Sequence, residues 1–493
     1  MKNNENELLN EYNKYSCHLG NYYPFNVNGQ LYLNMSDAVD HCEQKEIDLS
    51  AIIMILTNSY IIGDRTLVKN IKRLSWLTDY DSPDSNYNLS CSLPRHQMNV
   101  DTPINIANNL KLLLKEELIK YLEGKKKIGV FLSGGLDSRI VAGLLKELQN
   151  EHVYLGEVVT ITWGLENSRD VIYSKEISKR FNWEFYHLKL TPEQLKNNIY
   201  TTGIMGAEFS PYHLHAMPEV PKIKGIEAVI AGSYGDSVGR AEFSGKHISN
   251  IRNQYTNIKN PFGIIRNDVF KKFKDKIIED AFEYKKYISR DATYQYREIE
   301  QELHYMRRKL SACMNIIGQS VPVYQLFTSP NVFGYMWSLS PQVRNDEVYK
   351  QIISTLPEKL KNIPWARDGK TINGDNGIAL DGTKEHHRYG MWIRNELYDE
   401  VVSLVLSEDL LNLNIFNKKA LVRLIRVWKK QNTITVNVLD EIISWLASLA
   451  IFVKTYKLSN NFESCHSFID SFNSIAGPAH AEAFLKIRGL IRE

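Results

Sequence analysis

The fold of the chain is decided by the stretch Val130-Phe131-Leu132-Ser133-Gly134-Gly135-Leu136-Asp137-Ser138-Arg139, which joins an apolar run to a glycine turn and then to a helical pattern. Residues 128–132 predict a short buried strand, and the helical spacing of the apolar residues after residue 139 predicts a helix. The two glycines permit a sharp turn and a close approach of the backbone to a ligand. Unpaired N–H groups at the helix start and the two serine hydroxyls suit phosphate oxygens. The stretch therefore predicts a phosphate site.

Asp137 is the informative residue of this turn, because a carboxylate beside phosphate oxygens is repulsive unless a cation lies between them. The sequence therefore predicts a Mg²⁺ ion held in part by Asp137. The alternative is a glycine-containing strand-to-helix turn that binds nothing. Neither G-x-x-x-x-G-K-[ST] nor a G-x-G-x-x-G after a strand occurs in the chain, so the two common phosphate loops do not apply.

The string Ser133-Gly-Gly-Leu-Asp-Ser138 resembles the pyrophosphatase loop of the N-type ATP pyrophosphatases, and of the asparagine synthetase branch in particular. The resemblance implies an enzyme that cleaves ATP between its α and β phosphates. A carboxylate becomes an acyl-adenylate, and an amine then displaces AMP. The resemblance also implies that residues of this loop bind ATP, namely Leu132, Ser133, Gly134, Gly135, Leu136 and Ser138.

Strand and helix patterns alternate after the loop, with strands at 158–164 and 183–190 on either side of a helix at 170–181. This order predicts an α/β fold, a parallel twisted sheet with helices on both faces and the ligand at the carboxyl ends of its strands. The resemblance implies an adenine nucleotide alpha hydrolase-like sheet and places the adenine against the backbone around Trp163. A role for Trp163 as a core aromatic residue is equally compatible with the pattern.

A second strand and glycine turn lies at Ala228-Val-Ile-Ala-Gly-Ser-Tyr-Gly-Asp-Ser-Val-Gly-Arg240. In the resemblance, Asp236 matches an aspartate that helps bind magnesium, and Ala231 and Gly232 match the pair that contacts the nucleotide. Two carboxylates, Asp137 and Asp236, would then reach one phosphate-bound cation from the ends of two strands, as the departure of pyrophosphate requires. The alternative is a strand-end turn with a solvated Asp236.

This turn departs from the family at two positions. Ser233 stands where asparagine synthetases have a glutamate linked to catalysis, and Ser237 replaces the second acid of the pair. The departures favour the binding of ATP and magnesium over the synthesis of asparagine itself. The segment 211–218 lies over the site in family members, and its His213 and His215, at i and i+2, are not expected to share a metal ion.

Family members place a basic residue against the pyrophosphate in the segment that corresponds to residues 356–370. Arg367 and Lys370 are the candidates, because a fixed cation stabilises the charge that the leaving group gains as the bond breaks. The spacing does not choose between them, and surface charge is the alternative for both.

The chain is predicted to contain a degenerate or truncated glutaminase-like region of small α+β type at 1–105 and a synthetase domain with a helical C-terminal extension at 106–493. Position 2 is Lys2 where a glutaminase has its cysteine nucleophile, so we expect no glutaminase activity. The remaining local predictions are a hairpin at 21–33 and helices at 49–62, 104–122, 269–286 and 296–313. The apolar face of the helix at 104–122 is predicted to comprise Leu110, Leu112, Leu113, Leu118 and Ile119.

The composition is that of an ordinary globular protein, with 493 residues, 43% hydrophobic and 24% charged residues and a net charge of +3. Basic and acidic residues are mixed throughout, which gives no argument for a nucleic-acid or membrane partner. Five widely spread cysteines without a C-x-x-C pair predict a cytoplasmic location. The polar start is not a signal peptide, and the longest apolar run, at 442–453, is too short to span a bilayer.

The sequence thus predicts a ligase that uses ATP and Mg²⁺ to adenylate a small-molecule or peptide carboxylate. The nitrogen would come from free ammonia, from a separate glutaminase or from an amine of the substrate. That last option resembles the β-lactam synthetases and lasso peptide cyclases, and amidating enzymes of surface-glycan pathways are a further possibility. The alternative from another class is a nucleotide-binding regulatory protein that has lost turnover, which the absent glutamate at Ser233 favours.

Overall fold

The strands of the chain form one parallel sheet and two small antiparallel sheets. A computed structural model describes residues 2–78, 80, 93–252, 255–256, 258–372 and 380–492, and Cys91 lies outside the described residues. The strands are β1 (Phe25–Val27), β2 (Gln30–Tyr32), β3 (Lys72–Arg73), β4 (Lys127–Phe131), β5 (Glu157–Gly164), β6 (Glu184–Lys189), β7 (Ala228–Ala231), β8 (Glu242–Phe243), β9 (Lys246–His247) and β10 (Val323–Gln325).

Helices flank the parallel sheet and make up most of the C-terminal part. They are α1 (Lys2–Asn13), α2 (Met35–Asp40), α3 (Leu49–Asn58), α4 (Pro103–Leu122), α5 (Leu136–Asn150), α6 (Arg169–Phe181), α7 (Pro192–Ile204), α8 (Asn267–Phe273), α9 (Asp275–Phe282), α10 (Thr293–Glu300), α11 (Ala312–Gly318), α12 (Pro330–Ser338), α13 (Asp346–Ser354), α14 (Tyr389–Arg394), α15 (Tyr398–Val405), α16 (Glu408–Leu411), α17 (Lys418–Lys429), α18 (Val438–Tyr456) and α19 (Phe468–Arg492). The segment Gln301–Ser311 is a π-helix that joins α10 to α11.

The central sheet has the strand order β10-β7-β4-β5-β6, and every pairing within it is parallel. β4 is the middle strand, with Val130 opposite Thr160 of β5 on one side and Ile230 of β7 on the other. The chain adds β5 and β6 on one side of β4 and then crosses to add β7 and β10 on the other side. Such a reversal opens a crevice at the carboxyl ends of the strands. The predicted parallel sheet is confirmed, and its crevice lies between the ends of β4 and β7.

Both faces of the sheet are covered at its centre, which is why β4 and β7 are mostly apolar and buried. Ile128, Val130 and Ile230 point into a core shared with α4, α5 and α13. Val159 and Val229 point into a second core, formed with α11 and the segment 217–223. The predicted arrangement of helices on both faces is therefore confirmed.

The predicted helix at 104–122 is present as α4, but its buried face differs from the prediction. Leu112 and Ile119 are 57% and 42% exposed, and the prediction was wrong for these two residues. Leu110 and Leu118 are fully buried as predicted, and Ile106 and Leu114, which the prediction left out, are fully buried as well. The buried positions are four residues apart and form one stripe along the helix. Leu112 and Ile119 lie two and five positions after members of this stripe and face solvent.

The N-terminal residues form the predicted hairpin from β1 and β2, with Phe25 opposite Tyr32, and β3 extends it. The helix predicted at 49–62 ends earlier, at Asn58, because Ser59 adopts the left-handed conformation with φ 69°. The pattern at 269–286 is divided between α8, α9 and a short 3₁₀ turn. None of the described helices is both long and apolar enough to cross a membrane.

Arg139 of α5 links the turn after β4 to a distant part of the chain. Its side chain is fully buried and donates hydrogen bonds to the carbonyl oxygens of Ile363 (2.7 Å), Pro364 (2.8 Å) and Gly134 (3.3 Å). The Ala366 N–H also donates to the Gly134 carbonyl oxygen at 3.0 Å. The guanidinium thus helps to hold the segment before Arg367 against the turn.

Replacing Arg139 by Met is expected to lower the free energy of unfolding by about 3 kcal/mol, because several buried carbonyl groups lose a charged donor at once. Urea unfolding followed by circular dichroism measures the change. The matched control is Arg426→Met on α17, where the side chain is exposed and the expected change is within about 0.5 kcal/mol. Equal effects of the two substitutions would contradict the role given to Arg139.

Candidate active site

The carboxyl ends of β4, β5 and β7 surround a cavity of about 310 Å³. Sequence-predicted residues line it from all three strand ends, namely Leu132, Ser133, Asp137, Ser138, Trp163, Gly232 and Asp236. Ser233, Asp170 and His386 line it as well. Gly134, Gly135, Leu136 and Ala231 belong to the same turns but lie behind the lining, and Arg367 and Lys370 lie outside it.

The turn after β4 is held by hydrogen bonds within the protein. The Ser133 N–H donates to Ser138 Oγ (3.0 Å), and the Gly135 N–H donates to Ser133 Oγ (3.2 Å). The Gly134 N–H donates to a carboxylate, Asp170 Oδ1 of α6 (2.9 Å). The N–H groups of residues 133–135 are therefore engaged within the protein. The unpaired N–H groups were predicted at the helix start, and α5 begins at Leu136 without a side-chain cap among the described residues.

The glycines of both turns are required by close packing. A Cβ atom on Gly134 would lie 2.6 Å from Ala366 Cβ. On Gly235 it would lie 2.6 Å from Asp137 Oδ1, and on Gly232 it would lie 3.1 Å from the Asp137 carbonyl carbon. The turns after β4 and β7 are therefore in direct contact, and their glycines bring Asp137 to the second turn.

Asp137 and Asp236 are both partly buried at the cavity. Burial, and secondarily the charge of Asp137, raise the pKa of Asp236 to about 7. Burial also raises the pKa of Asp137, and the Arg240 guanidinium opposes that rise. Carboxylate oxygens that repel one another in a desolvated site are suitable ligands for Mg²⁺, so the two residues fit the predicted ion.

The remaining ligands of such an ion would come from substrate oxygens and water. Among the described residues there is no group of three or more His, Cys, Asp or Glu side chains that could hold a metal. Mg²⁺ commonly binds through one or two carboxylates together with phosphate oxygens.

Arg240 lies beside Asp137, where the sequence predicted only a Mg²⁺ ion. Its side chain is 4% exposed, and it pairs with Asp137 Oδ2 at 3.0 Å and with Asp346 Oδ1 at 2.8 Å. Arg367, one of the two predicted pyrophosphate residues, pairs with Asp346 Oδ2 and Glu242 Oε2, both at 3.4 Å. A charged network thus runs from the cavity to Arg367. In the sequence, the sign of Arg240 was its place directly after the glycine turn.

Lys370 lies beyond this network. It is exposed, and its backbone N–H donates to Asp368 Oδ1 at 2.9 Å. Arg367 is nearly half exposed and packs over the Trp365 ring at 4.5 Å. The structure therefore connects Arg367 to the cavity through Asp346, whereas Lys370 lies on the surface beside it.

The wall of the cavity next to Trp163 is rich in aromatic and histidine rings. The Trp163 ring meets Phe131 edge-on at 5.1 Å and stacks on His215 at 5.8 Å. The His386 ring meets His215 at 5.7 Å. Trp163 is thus both a packing residue and a lining residue, as the two predictions for it allowed.

His386 and Asp170 are site residues that sequence reasoning missed. Asp170 follows β5 at the start of α6, whereas His386 comes from the segment 380–388, far along the chain. An acidic residue in the first turn of the helix that follows β5 is a signal that could have found Asp170. The position of His386 depends on tertiary hydrogen bonds, and no local pattern marks it.

The pKa of Asp236 predicts a specific dependence of stability on pH. Because the folded state holds the proton up to about pH 7, the free energy of unfolding falls as pH rises from about 4 to about 7. Asp236→Asn removes this cost and is expected to be more stable than the wild type at pH 7.5, by on the order of 1–3 kcal/mol, and equally stable near pH 4. Urea unfolding at both pH values tests this. A variant that is less stable at pH 7.5 would refute it.

Removing Arg240 is expected to make the protein depend on magnesium. Arg240→Gln leaves Asp137 without its guanidinium partner and Asp346 with Arg367 alone, so the free energy of unfolding falls by about 1–3 kcal/mol, and added Mg²⁺ restores more stability than it gives the wild type. Thermal unfolding with and without MgCl₂ measures both effects. The matched control is Arg65→Gln, which breaks pairs with Asp48 (2.6 Å) and Asp280 (2.7 Å) away from the cavity. It should lose stability without gaining a response to Mg²⁺.

Comparison with known proteins points to one family. Residues 109–311 match the family model described as asparagine synthase. Human asparagine synthetase [glutamine-hydrolyzing] is 33% identical over 90 residues, which cover 18% of this chain and 16% of the human protein. The putative asparagine synthetase [glutamine-hydrolyzing] 1 of Methanocaldococcus jannaschii is 25% identical over 131 residues, which cover 25% of this chain and 23% of that protein.

The matched stretches therefore span less than a quarter of the length of these two relatives. Among solved structures, NMN synthetase from Francisella tularensis aligns with 44% of this chain and 92% of its own, at 12% identity and a TM-score of 0.22. The family predicted from the Ser-Gly-Gly-Leu-Asp-Ser string is the family that the sequence comparison finds, and that prediction is confirmed.

Proposed function

Because residues 109–311 belong to the asparagine synthetase superfamily as part of its synthetase domain, we propose that the chain is an ATP-dependent, amide-forming ligase. It adenylates a substrate carboxylate with release of pyrophosphate, and ammonia or an amine then displaces AMP. The observation that carries the proposal is the meeting of the turn after β4 and the turn after β7 at one cavity, with Asp137 and Asp236 facing it.

The nucleotide would lie across the crevice between β4 and β7. The hydroxyls of Ser133 and Ser138 and the start of α5 at Leu136 bind its phosphates, while Gly134 and Gly135 shape the turn. Trp163 forms the wall for the adenine, together with the backbone of Leu132. On the other side, Gly232 lines the cavity and the buried Ala231 supports it from β7.

Asp137 and Asp236 would hold Mg²⁺, which neutralises the phosphate oxygens that carry charge as pyrophosphate leaves. Arg367 stabilises the departing pyrophosphate from the edge of the cavity, and Lys370 is the second candidate for this role. Arg367 pairs with Asp346, and Asp346 also binds Arg240. This pairing supports the choice of Arg367, because it holds the Arg367 guanidinium on the side of the two carboxylates.

The proposal leaves the source of nitrogen to ammonia, an amine donor or a separate glutaminase. The acceptor is a small-molecule or peptide carboxylate, with no nucleic-acid or membrane partner, and the location is the cytoplasm. We also propose the division at residue 105. Residues such as Leu19 and Trp76 of the first region pack in the same core as β4, which supports a structural contribution of this region to the site.

A second candidate function is that of an ATP-binding regulatory protein without turnover. The contact of Arg240 with Asp137 favours it, because a guanidinium already compensates one of the metal carboxylates. Ser233 at the position of the family's glutamate favours it as well. The two functions differ in whether any carboxylate makes the protein release AMP.

The release of AMP and pyrophosphate from ATP and Mg²⁺, across a panel of amino acids, carboxylate sugars and peptides with and without ammonia, tests the ligase function. We expect one class of carboxylate to elicit both products, and Asp137→Ala to reduce their formation at least about 100-fold, since a charged metal ligand is lost. The matched control, Asp275→Ala at the exposed start of α9, should behave as the wild type. Tight ATP binding without AMP on any substrate would favour the regulatory function.

A further inference from the structure

We propose that His386 is the base that accepts the proton of the attacking amine and that Asp170 positions it, an inference that rests on the proposed ligase function. His386 lines the same cavity as Asp137, Asp236 and Ser133. In a cavity of about 310 Å³, a lining side chain can reach a reacting group directly or through one water molecule.

The proposed reaction requires a base, and in this chain the turn after β7 has a serine where the family has its glutamate. An amine is mostly protonated at neutral pH, and its nitrogen has no free electron pair until the proton leaves. Ser233 occupies the position of the family's glutamate, and a serine hydroxyl is a poor proton acceptor.

The titratable groups that line the described cavity are Asp137, Asp170, Asp236 and His386. Asp137 is paired with Arg240 and, like Asp236, is assigned to the metal, while Asp170 accepts the Gly134 N–H. The imidazole is the group whose ordinary pKa allows it to take a proton near pH 7 and release it again.

Backbone hydrogen bonds fix the segment that carries His386 over the cavity. The Leu165 N–H, just after β5, donates to the His386 carbonyl oxygen at 3.0 Å. The Arg169 N–H donates to the Thr383 carbonyl oxygen, and the Thr383 N–H donates to the Asn167 carbonyl oxygen, both at 2.9 Å. The segment thus runs along the loop between β5 and α6 and is positioned by the sheet itself.

Asp170 links His386 to the phosphate turn. His386 Nδ1 lies 3.8 Å from Asp170 Oδ2, and Asp170 Oδ1 accepts the Gly134 N–H at 2.9 Å. Catalytic hydrogen bonds of this kind tighten in substrate complexes, and we expect the same of this contact. Since Nδ1 is the nitrogen next to Asp170, the proposal assigns the proton to Nε2. The same carboxylate therefore orients the base and holds the turn that binds phosphate.

The surroundings keep His386 neutral and ready to act as a base. Burial lowers the pKa of His386, and the Asp170 charge partly offsets this effect. The other titratable groups that face its ring are His215 at 5.7 Å and His387 at 5.8 Å. Burial lowers the pKa of both neighbours as well, so neither carries a positive charge at neutral pH.

In the proposed step the amine nitrogen attacks the carbonyl carbon of the acyl-adenylate. The C–N bond forms, the bond from the carbonyl carbon to the AMP oxygen breaks, and AMP leaves with that electron pair. The proton lost by the nitrogen goes to His386 Nε2 and from there to solvent. No oxidant, reductant or further reactant is needed.

The test separates adenylation from amine attack. Hydroxylamine is a neutral nucleophile at pH 7 and traps acyl-adenylates as hydroxamates, whereas ammonium must first lose a proton. Using the carboxylate that elicits AMP, we expect His386→Gln to form hydroxamate within about 3-fold of the wild-type rate and amide at least about 100-fold more slowly at pH 7. Raising the pH should restore amide formation as free ammonia increases. The matched control is His387→Gln, which alters the adjacent ring that stacks on Tyr389 at 4.1 Å and should leave both rates unchanged.

Asp170→Asn tests the positioning role, because an asparagine oxygen can still accept the Gly134 N–H. Loss of the charge lowers the pKa of His386, so the acid limb of the pH–rate profile for amide formation should shift to lower pH with a lower plateau. An unshifted profile would overturn the role of Asp170. Equal losses of hydroxamate and amide in His386→Gln, or no loss of either, would overturn the role of His386. A wild-type protein that forms no hydroxamate from any carboxylate would overturn the ligase function together with this inference.

Discussion

Asp137 and Asp236 face one cavity from the ends of neighbouring parallel strands, and burial makes two negative charges there unfavourable unless a cation compensates them. β4 and β7 are parallel neighbours, so the turns after them lie at the same edge of the sheet. The chain adds β5 and β6 on one side of β4 and β7 on the other, which opens a crevice between these two turns. Gly232 and Gly235 then allow those turns to touch, and larger residues would separate the carboxylates. The order of the strands and the glycines of the two turns therefore together bring the two carboxylates to one cavity, where their charge needs a cation.

Arg240 supplies a positive charge beside Asp137 from within the protein. It compensates Asp137 directly and also binds Asp346, which in turn pairs with Arg367. An ion that arrives with phosphate oxygens would compete with the guanidinium for Asp137, and the network offers Arg240 a second carboxylate to which it can remain bound. The charge of the site is thereby connected to the segment that carries Arg367, so events at the metal carboxylates and at the edge of the cavity are electrostatically coupled.

Local patterns predicted the strands and helices around the cavity with small errors. The strand expected at 128–132 is Lys127–Phe131, and the helix expected at 170–181 is Arg169–Phe181, because alternation of apolar segments with turns has few other solutions in a parallel sheet. The buried face of α4 was predicted less well, since Leu112 and Leu114 are equally apolar and only the packing partner decides which is buried. The partners of Gly134, Asp137 and His386 could not be predicted, because each comes from a distant part of the chain and is chosen by tertiary contacts.

Local sequence cannot show whether the serines at positions 233 and 237 abolish catalysis, because other groups can reach the cavity through tertiary contacts. A lost acid at a strand end suggests lost catalysis when only the motif is considered. The cavity, however, is also lined by a segment that the motif does not include, and that segment brings an imidazole to the wall next to Trp163. Asp170 connects this imidazole to the phosphate turn, so the group that would accept a proton and the turn that would bind phosphate share one carboxylate. Under the proposed function, Asp137 and Asp236 would keep their role at the metal, and a histidine from this segment would replace the strand-end glutamate as the base.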